Sequence, residues 1–294
     1  MINKQTHTFK IVDDCEIQAD VYGIFGNAKR PAILFIHGGA LIVGHRSNIN
    51  PEHLEMYVNA GYNVISIDYR LAPEVKLKAI IEDVQDAYLW IREAGPRLFS
   101  IDPDRIAVIG HSAGGYLTLM TGFCVISRPK ALISFYGYGD VTASWYSRPD
   151  PFYCQQPLVS KEDAYNSVGG KVISGTSGPN NRGLFYLYCR QQGIWPKEVA
   201  GYDPDTESAK FDPFCPIRNV TAEYPPTLLL HGDKDTDVPY EQSVTMAKEL
   251  ARAGVEYELI TIPNGGHGFE GVGLKDAMVS KAFKRILEFL GNCG

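Results

Sequence analysis

Gly110-His111-Ser112-Ala113-Gly114 sets a serine between two glycines at a junction between two kinds of pattern. Arg105-Ile-Ala-Val-Ile109 before it reads as a buried strand, and Ala113 to Cys124 after it reads as a helix. This is the G-x-S-x-G nucleophile elbow in its required strand–turn–helix setting. The glycines are needed because side chains at those positions would collide in so tight a turn. A serine hydroxyl is a poor nucleophile at neutral pH, so it needs a base, and the base needs an orienting carboxylate. Two later loops offer both, in the order serine, acid, histidine. Strand Pro226–Leu230 runs into His231-Gly-Asp-Lys-Asp235-Thr-Asp-Val-Pro239. Strand Tyr257–Ile262 runs into Pro263-Asn-Gly-Gly-His267-Gly-Phe269. His267 is the candidate base. By spacing, Asp233, Asp235 and Asp237 are all open as the acid, since aspartates on a loop also form turns. Acyl transfer further needs amide donors for an oxyanion. Gly38 and Gly39, after strand Pro31–Ile36, can supply them together with the N–H of Ala113.

The elements that must position these groups alternate along the chain. Strand patterns at Pro31–Ile36, Asn63–Ile67, Arg105–Ile109, Lys130–Tyr136, Pro226–Leu230 and Tyr257–Ile262 are interleaved with helical ones. Those helices are expected at 51–58, 79–92, 113–124, 240–253 and 275–290. Such alternation predicts an α/β fold with a mostly parallel central sheet and helices on both faces. The first ~25 residues alternate apolar and polar and predict an antiparallel hairpin at one edge. Residues 138–222 break the rhythm. They carry no buried-strand pattern and are crowded with aromatics, which predicts a helical cap inserted into a core made of 1–137 and 223–294. Within it, Ser160-Lys-Glu-Asp163 reads as a helix N-cap, and 182–192 as a short helix. Trp145, Tyr146, Phe152, Phe185 and Tyr186 are expected to line an apolar pocket.

Composition narrows the function classes. The chain has 294 residues, 45% hydrophobic and 21% charged, which suffices for a large core. Its net charge of −6, with no long basic run, argues against nucleic acid as a partner. No stretch approaches the ~20 apolar residues of a membrane span. The polar start lacks a signal peptide's apolar core, so a cytoplasmic location is expected. The six cysteines form no CxxC pair and are expected to be reduced, and no metal site is expected.

Several motifs together resemble the α/β-hydrolase superfamily. They are His37-Gly-Gly-Ala40, Asp68-Tyr-Arg-Leu-Ala-Pro-Glu74, Asp102-Pro-Asp-Arg-Ile106, Gly110-His-Ser-Ala-Gly-Gly115, the His231–Pro239 loop and His267-Gly-Phe269. More closely, they are similar to carboxylesterases of the hormone-sensitive-lipase (α/β-hydrolase fold-3) type and their feruloyl-esterase-like and arylformamidase-like relatives. The resemblance spans about residues 15 to 290, with the insert unmatched. It implies Asp235 as the acid. Two departures stand out. Ala40 replaces the usual third glycine and narrows the acyl entrance. His111 replaces the common aspartate before the nucleophile and points toward the smaller relatives. The Asp68–Glu74 segment and His37 read as structural. The expected activity is hydrolysis of short-to-medium acyl esters, with no cofactor and a small-molecule ester as substrate. An amidase, arylformamidase or exopeptidase with the same triad is the alternative, and a non-catalytic small-molecule receptor a third reading. A monomer or homodimer is expected.

Overall fold

The computed structural model describes residues 2–26, 28–178 and 180–293. Its sheet begins with the hairpin β1 (Asn3–Val12) and β2 (Cys15–Gly23). It continues with β3 (Arg30–Ile36), β4 (Asn63–Ile67), β5 (Ile101–His111), β6 (Leu132–Phe135), β7 (Thr227–Gly232) and β8 (Tyr257–Ile262). The spatial order is β1-β2-β4-β3-β5-β6-β7-β8. β1–β2 and β2–β4 pair antiparallel, and every other pair is parallel. The expected edge hairpin and parallel centre are therefore both present.

The continuous apolar runs follow from this order. A parallel strand buried on both faces sends alternate side chains to opposite layers. Leu34, Ile36 and Val108 enter one core cluster, while Ile33, Phe35 and Ile109 enter the other. The helices are α1 (Pro51–Asn59), α2 (Leu77–Leu98), α3 (Ala113–Cys124), α4 (Ser144–Ser147), α5 (Lys161–Asn166), α6 (Gly183–Gln192), α7 (Trp195–Ala200), α8 (Glu241–Arg252) and α9 (Ala277–Asn292). α2, α3 and α8 pack into the first cluster, α1 and α9 into the second. In α2, Leu77, Ile80, Ile81, Val84, Ala87, Tyr88 and Ile91 are buried at helical spacing. This helix runs six residues beyond its expected end, through Gly95 and Pro96. A proline so near the C-terminus forfeits only one backbone bond, and the helix closes with Phe99 N–H donating to Gly95 at 2.9 Å.

Residues 138–222 lie between β6 and β7, and their described residues add no strand to the sheet. Ser160 caps α5, accepting from the Asp163 N–H at 3.0 Å, and Asp163 accepts from the Ser160 hydroxyl at 2.7 Å. α6 stops where Gly193 turns left-handed at φ 66°. α7 was not foreseen, because six residues opened by Trp195-Pro196 are too short to show a period. The segment's buried rings, among them Tyr146, Phe185, Trp195 and Phe211, belong to the same cluster as the sheet's first face. The six cysteines are free thiols.

Candidate active site

Ser112 stands between β5 and α3 with φ 56° and ψ −118°, a strained backbone for any residue but glycine. The strain is held by close packing. A Cβ on Gly110 would lie 2.1 Å from the Gly114 carbonyl oxygen, and one on Gly114 would lie 2.0 Å from that of Ile36. Only glycine fits at either place. The Ser112 N–H donates to Phe135 at 2.9 Å, tying the turn to β6.

His267 reaches this serine from the loop after β8. Its Nε2 is 3.1 Å from Ser112 Oγ, and its Nδ1 is 2.7 Å from Asp235 Oδ2. Facing a carboxylate, Nδ1 carries the proton, which leaves a lone pair on Nε2 toward the hydroxyl. Asp235 Oδ1 accepts from the N–H groups of Asp237 and Val238 at 2.8 and 2.9 Å, and Oδ2 lies 3.3 Å from His231 Nε2. Burial alone would raise its pKa. The hydrogen bonds from His231 and His267, the His267 charge and the Val238 amide outweigh burial and hold the carboxyl well below the usual range. Burial lowers the pKa of His267, but the Asp235 hydrogen bond and the charges of Asp237, Asp235 and Glu270 leave it raised above 6.5.

The three loop aspartates thus have distinct places. Asp233 accepts from the Asn264 N–H at 2.7 Å and braces the histidine loop. Asp235 faces His267 Nδ1. Asp237 lies on the other side of the ring, with Oδ2 3.5 Å from Nε2.

Gly38 and Gly39 turn past the elbow, and a Cβ on Gly38 would touch Ser112 Cβ at 3.2 Å. Among the described residues, no hydrogen-bond acceptor takes the N–H of Gly38, Gly39 or Ala113. His37 is buried and stacked on Tyr69 at 4.2 Å, and its Nδ1–H donates to the Gly38 carbonyl at 2.7 Å. Burial pushes its pKa down to about 4, so it stays a neutral brace. Ala40 adopts φ 55°, a conformation easier for the glycine it replaces. Two side chains of residues 138–222 grip this turn. Trp195 Nε1–H donates to the Ala40 carbonyl at 3.1 Å, and Arg182 Nε–H to that of Ile42 at 2.7 Å. Arg182 also pairs with Glu74 at 2.6 Å. Arg70 pairs with Asp83 at 2.8 Å.

A cavity of about 300 Å3 opens over Ser112. Gly38, Gly39, Ala40, His111, Tyr186, Asp237 and His267 line it, with Val43, Tyr136 and Gly183. Of the five aromatic residues expected in its wall, only Tyr186 lines it, and the other four sit elsewhere. Phe185 is fully buried against Tyr165, because its position on α6 points into the core. Trp145 stacks on Tyr146 at 3.6 Å, and Tyr146 on Trp195 at 4.0 Å. Both Trp145 and Tyr146 flank the Arg190 guanidinium at about 5 Å instead of facing the cavity. Phe152 is exposed.

Sequence reasoning did not find Glu270, Tyr136 or Arg190. Glu270 Oε1 accepts from the Tyr136 hydroxyl and lies 3.1 Å from His111 Nδ1. Burial raises its pKa, but the neighbouring His111 and both hydrogen bonds prevail and bring it down to about 2. Tyr136 in turn packs its ring 4.5 Å from that of His267. Glu270 lies three residues past His267 in a short 3-10 turn, Phe269–Val272, and spacing alone gives no sign of its partners. Among the described residues, no cluster of three or more His, Cys, Asp or Glu could hold a metal ion. No described helix is long and apolar enough to cross a membrane.

The BD-FAE family model matches residues 20–250, most of the chain and all of the sheet from β3 to β7. The chain belongs to the BD-FAE family. Solved α/β-hydrolase structures share the fold of this BD-FAE member. A Staphylococcus aureus protein of unknown function superposes with a TM-score of 0.77 at 21% identity, over 100% of this chain and 99% of that one. An α/β-hydrolase superfamily protein from Enterococcus faecalis gives 0.74 at 22%, over 98% of each. The esterase Est2 of Thermogutta terrifontis gives 0.70 at 22%, over 99% and 92%. It has also been solved with butyrate bound. Among curated proteins, the chain is similar to part of the non-reducing polyketide synthase Preu3 of Preussia isomera, 30% identical over 96% of this chain. A similar stretch of trt4 from Aspergillus terreus is 28% identical over 92%. The chain spans only 13% of the length of either synthase.

Proposed function

We propose that this chain is a serine carboxylic-ester hydrolase for short-to-medium acyl esters. The observation that carries the reading is the continuous path Ser112 Oγ–His267 Nε2, 3.1 Å, and His267 Nδ1–Asp235 Oδ2, 2.7 Å, at the floor of a cavity. His267 takes the hydroxyl proton on Nε2 as Ser112 Oγ bonds the ester carbonyl carbon. Asp235 stabilises the imidazolium. The N–H groups of Gly38, Gly39 and Ala113 receive the developing oxyanion, each worth about 10²–10³ in rate. Collapse breaks the carbon–alkoxy bond, and Nε2–H protonates the departing alkoxide. Water then attacks the acyl-enzyme with His267 again as base, returning Ser112 and releasing the acid. In this reading residues 1–137 and 223–294 are the catalytic core and 138–222 a cap over it. The acyl-length preference is supported by a cavity at the small end of the ligand-pocket range. It is also supported by Ala40 in the cavity lining, where the resemblance has a glycine.

The test is initial rates on p-nitrophenyl esters from C2 to C12, with Ser112→Ala alongside. Rates should peak at short chains and fall by about 10⁴-fold or more in the variant. Because a base must be neutral, kcat/KM should rise with pH through a midpoint above 6.5. A wild type no faster than the variant defeats the reading. Formamides hydrolysed with a higher kcat/KM than any ester would move it to the amide class. A second reading, a bulkier polyketide-type acyl group, is supported by the similarity to the two synthases. Aryl-acyl esters outpacing butyrate would favour it.

A further inference from the structure

Asp237 touches the catalytic machinery twice and the 138–222 segment twice. Its N–H donates to Asp235 at 2.8 Å, and its Oδ2 lies 3.5 Å from His267 Nε2, on the cavity side of the ring. Its Oδ1 accepts from the Tyr186 hydroxyl and from Arg190 Nη1, both on α6. Arg190 has no exposed side-chain surface and is shared with Asp150 at 2.7 Å. One guanidinium between two carboxylates leaves a net negative charge, so Asp237 is not cancelled by its anchor.

The placement matters because His267 Nε2 has two neighbours, the Ser112 hydroxyl and this carboxylate. In the neutral ring Nε2 offers a lone pair, which a carboxylate oxygen does not favour. Once Nε2 has taken the serine proton it is an N–H donor, and Asp237 Oδ2 is the acceptor beside it. We propose that Asp237 is a positioning residue that favours the imidazolium form of His267, and that α6 sets its reach through Arg190 and Tyr186. The proposal rests on the ester-hydrolase reading for its consequence in turnover, but its electrostatic part does not. Other groups face the same ring: Asp235 from the loop after β7, Glu270 from the turn beyond His267, Tyr136 from the end of β6 and Ser112 from the elbow, while His231 pairs with Asp235 and His111 with Glu270 behind them. Of these only Asp237 is on the Nε2 side and bound to the inserted segment.

The test is a proton-NMR titration of the His267 imidazole, assigned with His267→Gln, in the wild type, Asp237→Asn and Tyr186→Phe, with kcat/KM against pH in parallel. Asp237→Asn should move the His267 midpoint down by about one pH unit. The acid limb of kcat/KM should follow it, and the plateau rate should fall several-fold. Tyr186→Phe removes a donor from Asp237 and leaves more charge near the ring, so its midpoint should move up by a smaller amount. Opposite signs separate this role from general damage, which would move both variants alike. A folded Asp237→Asn whose His267 titration superimposes on the wild type overturns the proposal. If Asp237→Asn does not fold, an unmoved or lowered midpoint in Tyr186→Phe overturns it. A shifted NMR midpoint in a protein that hydrolyses no ester would leave Asp237 in this role and remove the ester-hydrolase reading.

Discussion

Around Ser112 and Gly38, position is set by backbone against backbone: the Gly110 and Gly114 contacts, the bond from Ser112 to β6 and the left-handed turn at Ala40. Residues 138–222 meet the same site through side chains. Arg182 and Trp195 hold the carbonyls of Ile42 and Ala40 beside Gly38 and Gly39, and Arg190 holds the loop after β7 at Asp237. The two regions therefore fail differently. A backbone-set site loses chemistry when one functional group is changed, while the fold persists. A region held by buried guanidinium groups loses stability when one of them is removed, because the partner carboxylates, mostly shielded from water, lose their cation.

The largest expected effect breaks the backbone side of this comparison. Asp235→Asn should cost about 10⁴ in kcat by favouring the wrong His267 tautomer. Its thermal unfolding should remain a single transition, read by circular dichroism. Loss of folding there would show that the acid loop depends on Asp235 as heavily as α6 depends on Arg190. Next, Arg190→Ala should lower stability by about 3–5 kcal/mol in urea titrations, since Asp150 and Asp237 lose their shared partner. A loss under about 1 kcal/mol would place the grip in the aromatic stack of Tyr146 and Trp195 instead. The smallest effect sharpens the boundary between the regions. Glu270 holds its proton only below a pKa of about 2, under the ordinary carboxyl value. It therefore contributes stability in full above about pH 4.5, and loses it as pH falls toward 2. The stability gap between wild type and Glu270→Gln should close over that window. A gap independent of pH would mean that the Glu270 charge does not matter to the fold.

This division also explains what could be read from the chain. The strands and the elbow were legible because burial on two faces writes continuous apolar runs, and because Gly110, Ser112 and Gly114 are local to one another. His267 was legible for the same reason, on a loop after a clear strand. Asp233, Asp235 and Asp237 could not be told apart by spacing, since which carboxylate meets the imidazole depends on how two loops cross. Glu270, Tyr136 and Arg190 left no local trace, for their partners lie 134, 25 and 47 positions away in the chain. Aromatic density in 138–222 pointed to packing, but could not say that Phe185 turns inward while Tyr186, its neighbour, faces the cavity.

The contact between Gly114 and the Ile36 carbonyl has a consequence for how such a protein changes over generations. It welds the Ser112 turn and the Gly38 turn into one part that can be inherited whole or lost whole. New substrate ranges then arise from cavity-lining positions outside that weld and outside the Tyr186–Asp237 contact, Val43 first. Mutant libraries built there would explore specificity, whereas libraries at the glycines would mostly sample inactive protein.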